Sequence, residues 1–359
     1  MQVSAARINT VLASGMRILH VILTKGFTGA ERSTAESCNH QVALHPTACL
    51  MRIRQGRHRK GGVASLAANL DPRVAVLRMP RRWLARSVLE HHIRRFAPDV
   101  IHAHLNDAER LVAQIRTAAA TVATLHLDEL EPYHLQFDGI VTIARWQRRL
   151  IPASYPGAVI DWPNSYIPHR RLDADQLRSL RAGLGLRPDD YVIGGVGSLI
   201  LRKGWDTLIR AFRQADLPNA RLVIIGDGRD RSRFEALADS RVLLPGFRAN
   251  AKDYFQLFDL LVCPSRREAF GRVLIEALDA GSPVVASETD GCREILAEYP
   301  GDLFPIEDVD ALSVLLRRHY EERTPRVTVD LSRYGIENSG RVLLEGYASA
   351  VERRRAARD

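Results

Sequence analysis

Short apolar segments rich in β-branched residues alternate along the chain with longer segments of helical periodicity. This alternation is typical of βα units and predicts parallel sheets covered by helices. In the first half it predicts strands at residues 17–23, 42–51, 74–78, 100–104, 122–126 and 139–143. In the second half it predicts strands at residues 191–197, 221–226, 242–244, 260–264 and 284–286. The chain is therefore expected to be an α/β protein with two doubly wound parallel sheets, whose ligands bind beyond the carboxyl ends of the strands.

The two series of strands place the domain boundary near residue 165, with one domain at 16–165 and the other at 166–339. Residues 1–15 precede the first strand and lack the basic start and apolar stretch of a signal peptide. We expect them to form a disordered extension, and Met16 is an alternative start. Residues 340–359 have a helical pattern and a basic end, and are expected to form a helix that crosses back to the first domain.

Composition excludes several classes of protein. An apolar content of 46% with 26% charged residues is ordinary for a globular chain, which argues against general disorder. The apolar runs are far shorter than the roughly 20 residues that a membrane span needs. The four cysteines are widely spaced, without metal-binding pairs, and are expected to be reduced thiols: Cys38, Cys49, Cys263 and Cys292. These features predict a soluble, cytoplasmic protein.

Positive charge is concentrated in the first half of the chain. Residues 1–165 hold 21 Lys and Arg against 12 Asp and Glu, whereas residues 166–359 hold 30 of each class. Most of the excess comes from Arg52, Arg54, Arg57, Arg59, Lys60, Arg78, Arg81, Arg82 and Arg86. A basic surface can attract nucleic acid, anionic lipid or a phosphorylated acceptor, although a solvated loop rim is the simpler alternative. No nucleic-acid-binding module is recognisable, so we expect no nucleic-acid partner.

One basic segment, residues 81–96, is a candidate for contact with the anionic inner face of the cytoplasmic membrane. Its apolar side would consist of Trp83, Leu84, Val88 and Phe96. The competing interpretation is an ordinary helix that packs against the core before the strand at residues 100–104.

The clearest chemical signal follows the predicted strand at residues 260–264. A short loop carries Glu268, and a helix that is apolar nearly all round is predicted from about residue 272 to 280, where Gly281 stops it. Because such a helix is buried, Glu276 in its middle must be surrounded by hydrogen-bond donors. Sugar hydroxyls are donors of this kind. The alternative is that Glu276 forms a structural salt bridge and that Glu268 is an ordinary loop carboxylate.

The start of the same helix is suited to an anion. Phe270 and Gly271 present backbone N–H groups there, where the helix dipole favours a negative group such as a diphosphate. Two carboxylates with an anion site between them fit a sugar nucleotide.

These residues resemble a known family. Glu268 and Glu276, with Phe270 and Gly271 between them and residues 280–287 after them, resemble the retaining GT-B glycosyltransferases of family four. Further fragments resemble that family in the same order, at residues 26–32, 98–104, 195–204, 223–229 and 244–247. The resemblance implies two Rossmann-like domains that face a cleft, the first for the acceptor and the second for the nucleotide sugar.

The resemblance also implies a reaction and its residues. A sugar would move with retained configuration from a nucleotide-diphosphate sugar to a glycan or glycolipid acceptor, in lipopolysaccharide or other surface-polysaccharide synthesis, without a metal or other cofactor. Glu268 would bind the donor sugar and Glu276 the ribose, while Arg202 and Lys203 would neutralise the diphosphate. The remaining implied residues are His126 near the reacting carbon, Phe247 near the base, and Gly29, Gly197, Phe270 and Gly271 along the phosphates.

Three positions depart from the family pattern. Ser198 stands where an arginine is frequent, so the diphosphate contacts depend on Arg202 and Lys203. Ala144 replaces a common serine, and Asn164 is followed by Ser165 where glycine is common. Simpler alternatives also remain for single residues: the two cations could cap a loop, His126 could be satisfied in the core, and Gly29 could be a turn glycine.

Other functions fit the sequence less well. A nucleotide-sugar epimerase or an inverting transferase could use the same fold, and a non-catalytic sugar-nucleotide-binding protein could keep the fold without the reaction. A dinucleotide dehydrogenase lacks support, because no predicted strand is followed by a full G-x-G-x-x-G motif that opens a helix.

Overall fold

The computed structural model describes residues 5–24, 26–52, 66–80, 82–127 and 129–358. The described residues up to 165 and from 332 onward form one compact unit, and residues 166–331 form a second. Every strand pairing in the described residues of both units is parallel. The two sheets therefore confirm the predicted α/β class.

The first unit contains a seven-stranded sheet in the order β3-β2-β1-β4-β5-β6-β7. Its strands are β1 (Ile18–Ile22), β2 (Thr47–Arg52), β3 (Ala75–Met79), β4 (Val100–His104), β5 (Ala120–Leu125), β6 (Gly139–Thr142) and β7 (Ala158–Asp161). Its helices are α1 (Ala5–Ala13), α2 (Gly29–Gln41), α3 (Ala85–Phe96), α4 (Asn106–Ala113) and, at the end of the chain, α12 (Ile336–Ala356).

The second unit contains a six-stranded sheet in the order β10-β9-β8-β11-β12-β13. Its strands are β8 (Tyr191–Val196), β9 (Ala220–Ile225), β10 (Val242–Gly246), β11 (Leu260–Cys263), β12 (Val284–Ser287) and β13 (Asp302–Phe304). Its helices are α5 (Ala174–Gly183), α6 (Trp205–Ala215), α7 (Arg231–Glu235), α8 (Ala251–Tyr254), α9 (Arg272–Ala280), α10 (Asp290–Leu296) and α11 (Val309–Glu322).

The predicted strands all form, with two kinds of difference. β2 begins at Thr47 rather than at residue 42, because α2 continues to Gln41 and the backbone N–H of His45 then bonds to the Gln41 carbonyl in a turn. β7 and β13 were not predicted from the pattern. Both are short strands at the edge of a sheet, where three or four residues are too few to show an alternation.

The expectation of disorder at residues 1–15 is wrong for residues 5–13. They form α1, which packs against α12 and buries Val11. Apolar contact with a helix more than 300 residues away in sequence orders this segment, and local periodicity cannot reveal such a contact. α12 packs on the first unit along α2, β5 and β7.

The hydrophobic core of each unit lies between its sheet and the covering helices. In the second unit this core is centred on Trp205, Phe212 and Phe234. In the first unit it includes Leu19, Leu50 and Ile101 from three adjacent strands. Among the described helices of either unit, none combines the length and the apolar character needed to cross a membrane.

Candidate functional site

The second sheet changes winding direction between β8 and β11, which lie side by side with Ile193 opposite Leu260. In doubly wound sheets this switch point leaves a crevice at the carboxyl ends of the two strands, where ligands bind. The loop at residues 197–204 leaves β8, and the loop at residues 264–271 leaves β11. The structure therefore brings together two loops that are more than 60 residues apart in sequence.

A charged pair joins these two loops. Lys203 Nζ donates to Glu268 Oε2 at 2.5 Å, and both side chains are about 15% exposed. Ser265 Oγ also donates to Glu268 Oε2, at 3.2 Å. Burial alone would lower the pKa of Lys203 and raise the pKa of Glu268, but their mutual attraction outweighs it, so the Lys203 pKa is raised and the Glu268 pKa is lowered. Both groups are therefore ionised at neutral pH.

Arg202 lies beside this pair and connects the same loops. Its Nη1 donates to the Arg267 carbonyl at 2.9 Å, while its own carbonyl accepts from the Arg266 N–H at 2.8 Å. These contacts agree with the loop-capping alternative. They also leave its charge available to an anion, because a carbonyl oxygen does not neutralise a guanidinium.

Gly204 allows the two loops to approach closely. Its φ of +67° lies in the left-handed region, and a Cβ there would come within 1.9 Å of the Pro264 carbonyl oxygen. At the other end of the loop, the Gly197 N–H bonds to the Ile225 carbonyl at 2.9 Å. The Trp205 indole fixes the loop between them by donating to the Ser198 carbonyl at 2.9 Å.

Helix α9 begins at the predicted residue. Gly271 is its N-cap with φ +87°, and Phe270 before it is buried. Glu276 is 4% exposed, as its place in an apolar helix predicted, and it accepts from Arg272 Nε at 3.3 Å. Sequence reasoning missed this partner, although the i, i+4 spacing of Arg272 and Glu276 could have indicated it. This contact agrees with the alternative that Glu276 forms a structural salt bridge.

Phe247 lies at the same edge of the second sheet but farther along it. It follows β10 and is half-buried, and β9 separates its strand from β8. The Gly246 carbonyl accepts from the Gly226 N–H at 3.1 Å, which ties the loops after β9 and β10 together. Phe247 therefore follows a strand that lies two positions from β8 in the sheet.

Two predicted residues belong to the first unit. Gly29 is the exposed first residue of α2, and the Glu31 carboxylate fixes this helix start by accepting from the Thr28 N–H at 2.8 Å. His126 directly follows β5 and is half-buried. Its Nε2 lies 3.2 Å from Nδ1 of His104.

His126 is the outer member of a histidine cluster, defined as His20, His102, His104 and His126. His20 Nδ1 lies 2.9 Å from His104 Nε2, and His20 Nε2 lies 2.7 Å from Gln41 Oε1. His102 bonds to the Tyr347 hydroxyl of α12 and to Thr124. The sequence showed one signal for this cluster: His102 and His104 are two residues apart in one strand and therefore share a face.

Burial keeps the cluster neutral. It lowers the pKa of His20 and of His126 to about 4, and it lowers the pKa of His102 and of His104 well below the usual 6.5. Nitrogen atoms of His20, His102 and His104 lie within 4.8 Å of one another, and imidazole is a common metal ligand. However, both ring nitrogens of each of these three residues already bond to protein groups, so a metal ion would have to displace those bonds.

Comparison with known proteins relates the chain to one family. Residues 178–348 match the model of the family described as glycosyl transferases group 1. The lipopolysaccharide core biosynthesis glycosyltransferase LpsD of Rhizobium meliloti is 26% identical, over 94% of this chain and 98% of its own length. The 2-deoxystreptamine N-acetyl-D-glucosaminyltransferase of Streptomyces fradiae is 26% identical, over 98% of this chain and 91% of its own length.

Solved structures share the fold over nearly the whole chain. Anabaena HepE, crystallised with UDP and glucose, matches with a TM-score of 0.71 at 19% identity and covers 96% of this chain and 98% of its own. WaaG, a glycosyltransferase involved in lipopolysaccharide biosynthesis, matches with a TM-score of 0.65 at 17% identity, over 90% of this chain and 94% of its own. These likenesses confirm the predicted GT-B architecture of two Rossmann-like domains.

Proposed function

We propose that the chain is a group 1 glycosyltransferase that transfers a sugar, with retained anomeric configuration, from a nucleoside-diphosphate sugar to a glycan or glycolipid of a surface polysaccharide. The match of residues 178–348 to that family and the similarity to LpsD over nearly its whole length support this proposal. The observation that carries this proposal is the Lys203–Glu268 pair at the switch point of the second sheet, within the segment that matches the family. The family match and the transferase names of the relatives favour group transfer over an epimerase or a non-catalytic binding protein.

In the proposed reaction the acceptor oxygen forms a bond to the anomeric carbon as the bond from that carbon to the diphosphate oxygen breaks. The electron pair leaves with the diphosphate, and the acceptor proton passes to a departing phosphate oxygen. Lys203 and Arg202 stabilise the negative charge that develops on the leaving group. Glu268 holds Lys203 in position and accepts from a donor-sugar hydroxyl, while the N–H groups at the start of α9 bind phosphate oxygens.

A uridine diphosphate sugar is the first donor to test. Anabaena HepE was crystallised with UDP-glucose as well as with UDP. The name of LpsD assigns that relative to lipopolysaccharide core biosynthesis, which supports a lipopolysaccharide core as the first acceptor. We expect transfer without a metal ion, since Arg202 and Lys203 supply the positive charge that a divalent cation would otherwise provide.

The experiment supplies UDP-, GDP-, ADP- and CDP-glucose, each with and without a truncated lipopolysaccharide acceptor, in the presence of EDTA. We expect one donor to stabilise the protein to heat, by about 2.7 kcal/mol at 100 times its dissociation constant. We also expect an α-linked product from an α-linked donor, identified by its anomeric proton coupling. A β-linked product would contradict retention, an epimer formed without acceptor would contradict transfer, and activity restored only by added Mg²⁺ would contradict the metal-free reaction.

The basic surface of the first unit supports a further proposal, contact with an anionic membrane. Val88 and Phe96 of α3 pack against the core, which agrees with the core-helix interpretation of that segment. Trp83 before α3 is nevertheless 74% exposed, and Arg78 and Arg86 are exposed close to it in sequence. Of the basic residues named from the sequence, Arg54, Arg57, Arg59, Lys60 and Arg81 lie outside the described residues. We therefore assign the membrane contact to the region around Trp83.

Vesicle sedimentation tests this contact. Binding to phosphatidylglycerol vesicles should weaken between roughly 0.05 M and roughly 0.5 M salt, because exposed charges are screened within about 10 Å or less. Trp83→Ser should weaken it at low salt, whereas Leu44→Ser should not, although Leu44 is also an exposed apolar residue of the first unit. Equal binding by the two variants would contradict the assigned region, and binding that does not depend on salt would contradict its electrostatic part.

A further inference from the structure

A continuous chain of hydrogen bonds leads from the interior of the first unit to His126. It runs from Gln41 to His20 at 2.7 Å, from His20 to His104 at 2.9 Å, and from His104 to His126 at 3.2 Å. The first three members are fully or almost fully buried, whereas His126 is half-buried. The proposed reaction does not use Gln41, His20 or His104 directly.

Counting protons determines the direction of every bond in this chain. Gln41 presents its amide oxygen, which can only accept, so His20 must donate from Nε2. A neutral imidazole carries a single N–H, so Nδ1 of His20 must accept from Nε2 of His104. By the same rule Nδ1 of His104 accepts from Nε2 of His126. Burial lowers the pKa of all three histidines, which keeps each ring neutral and makes this count hold at neutral pH.

The result at the outer end is one defined tautomer. His126 carries its proton on Nε2, and its Nδ1 is an acceptor that has no hydrogen-bond partner within the described part of the chain. His126 also lines a cavity of about 20 Å³ together with Asn106, Glu109 and His134. A space of this size holds about one water molecule or one hydroxyl group.

We infer that Gln41, His20 and His104 are positioning residues that hold His126 in its Nε2–H tautomer, so that Nδ1 accepts a hydrogen bond from a sugar hydroxyl. The identity of the ligand as a sugar rests on the proposed transferase function, but the tautomer is a property of the free protein. The Gln41 amide nitrogen donates to the Tyr347 hydroxyl at 3.5 Å, which agrees with an amide oxygen directed at His20.

The tautomer is measured first, on the whole wild-type chain without substrate. Long-range ¹H–¹⁵N spectra of protein labelled at its histidine ring nitrogens distinguish a protonated from an unprotonated nitrogen, and single histidine substitutions assign the signals. We expect His20, His104 and His126 each to show a protonated Nε2 and an unprotonated Nδ1. An Nδ1–H tautomer or an averaged mixture at His126 would overturn the inference. A joint shift of the His20, His102 and His104 signals on adding Zn²⁺ would also overturn it, because these rings would then bind a metal ion.

Variants at the buried end then test the direction of influence. Gln41→Met removes the oxygen acceptor at similar length and should give His126 a mixture of tautomers. Gln41→Glu keeps an acceptor oxygen and should restore the Nε2–H signal. Ser33→Ala is the control, because it removes a buried hydrogen bond to Asn164 from the same helix, outside the chain that leads to His126, and should leave the His126 signals unchanged. Unchanged His126 signals in Gln41→Met would overturn the inference.

Kinetics connects the tautomer to the reaction. Gln41→Met should lower kcat by roughly 10- to 100-fold, by analogy with the loss of activity when the hydrogen-bond partner of a metal-bound histidine is removed. KM for the nucleotide sugar should change far less, because the charged pair of the second unit is untouched. If the tautomers are as expected but His126→Ala keeps full turnover, the role of His126 in the reaction fails while the chain of bonds stands. If kcat of Gln41→Met is unchanged although its tautomer is lost, the positioning role fails.

Discussion

The charged pair of the second unit and the histidine cluster of the first differ in their protonation. At the switch point of the second sheet, Lys203 and Glu268 are ionised, and each is stabilised by the opposite charge of the other. In the first unit, by contrast, the histidine cluster is neutral and is stabilised by hydrogen bonds to Gln41, Thr124 and Tyr347. Both sheets are doubly wound and parallel, so the difference lies in the side chains and not in the topology.

The difference in charge follows from how each group responds to burial. A lysine and a carboxylate at 2.5 Å gain enough mutual attraction to remain charged. Adjacent imidazoles have like charges when protonated, so burial and mutual repulsion both favour their neutral forms. With the Arg202 guanidinium beside it, the charged site has a net positive charge and is suited to an anion such as a diphosphate. The neutral site is suited to directional hydrogen bonds with hydroxyl groups.

The largest effect on turnover is expected from a substitution that breaks the charged pair. Lys203→Ala should lower turnover by about 10²–10³, equivalent to about 2.7–4 kcal/mol, because one positioned cation is lost from the leaving group. Lys252→Ala is the control, since it removes the other lysine of the second unit, whose Nζ donates to the Ile167 carbonyl. Initial rates with a saturating donor measure both variants. Full turnover in Lys203→Ala would mean that the diphosphate binds elsewhere.

A smaller effect is expected from substitutions that distinguish the proposed roles of Glu268 and Glu276. Glu276→Gln should weaken the binding of free nucleoside diphosphate and of the whole donor alike, by roughly 1–3 kcal/mol, because charge-assisted bonds to the ribose are lost. Glu268→Gln should leave the affinity for free nucleoside diphosphate almost unchanged but lower turnover with the whole donor. Calorimetry with the diphosphate and initial rates with the donor compare the two variants.

The structural alternative for Glu276 gives a different result in the same experiment. If the carboxylate serves only Arg272, Glu276→Gln should lower the melting temperature without a specific loss of nucleotide affinity. If Glu268→Gln weakens the bare diphosphate as much as Glu276→Gln does, the proposed division of roles is wrong.

The two sites should also respond differently to pH. A histidine whose pKa falls from 6.5 to about 4 on folding, such as His20 or His126, binds fewer protons in the folded than in the unfolded chain. Its contribution to stability is present above pH 6.5 and is lost as the pH falls toward 4, by about 1.4 kcal/mol per pH unit for each histidine. The attraction between Lys203 and Glu268 raises the pKa of Lys203 and lowers the pKa of Glu268, so their pair stays ionised between pH 7 and pH 5.

Hydrogen exchange of the whole chain at pH 7 and pH 5, corrected for intrinsic exchange rates, measures this difference. The strands of the first unit should lose more protection than those of the second. Among the described residues of the second unit, His319 alone has a lowered histidine pKa, so the second unit serves as the internal reference. Equal losses in both units would contradict the assignment of a neutral cluster to the first.

The sequence alone was sufficient for the features that depend on local pattern. Alternating apolar segments predicted the strands of both sheets, and the apolar residues on all sides of residues 272–280 predicted both α9 and the burial of Glu276. The order of short motifs was sufficient to predict the similarity to group 1 glycosyltransferases, because a resemblance of this kind needs only the linear sequence. The residue roles at the site remain predictions.

Which side chains meet depends on the three-dimensional fold. Lys203 and Glu268 are 65 residues apart, and His102 and Tyr347 are 245 apart, so no local periodicity could pair them. The same holds for α1, which a contact with α12 orders, and for the short edge strands β7 and β13, which neighbouring strands complete. Periodicity reports which residues are buried together with their near neighbours in the chain. The protonation state and direction of a buried polar group depend instead on the atoms that surround it in space.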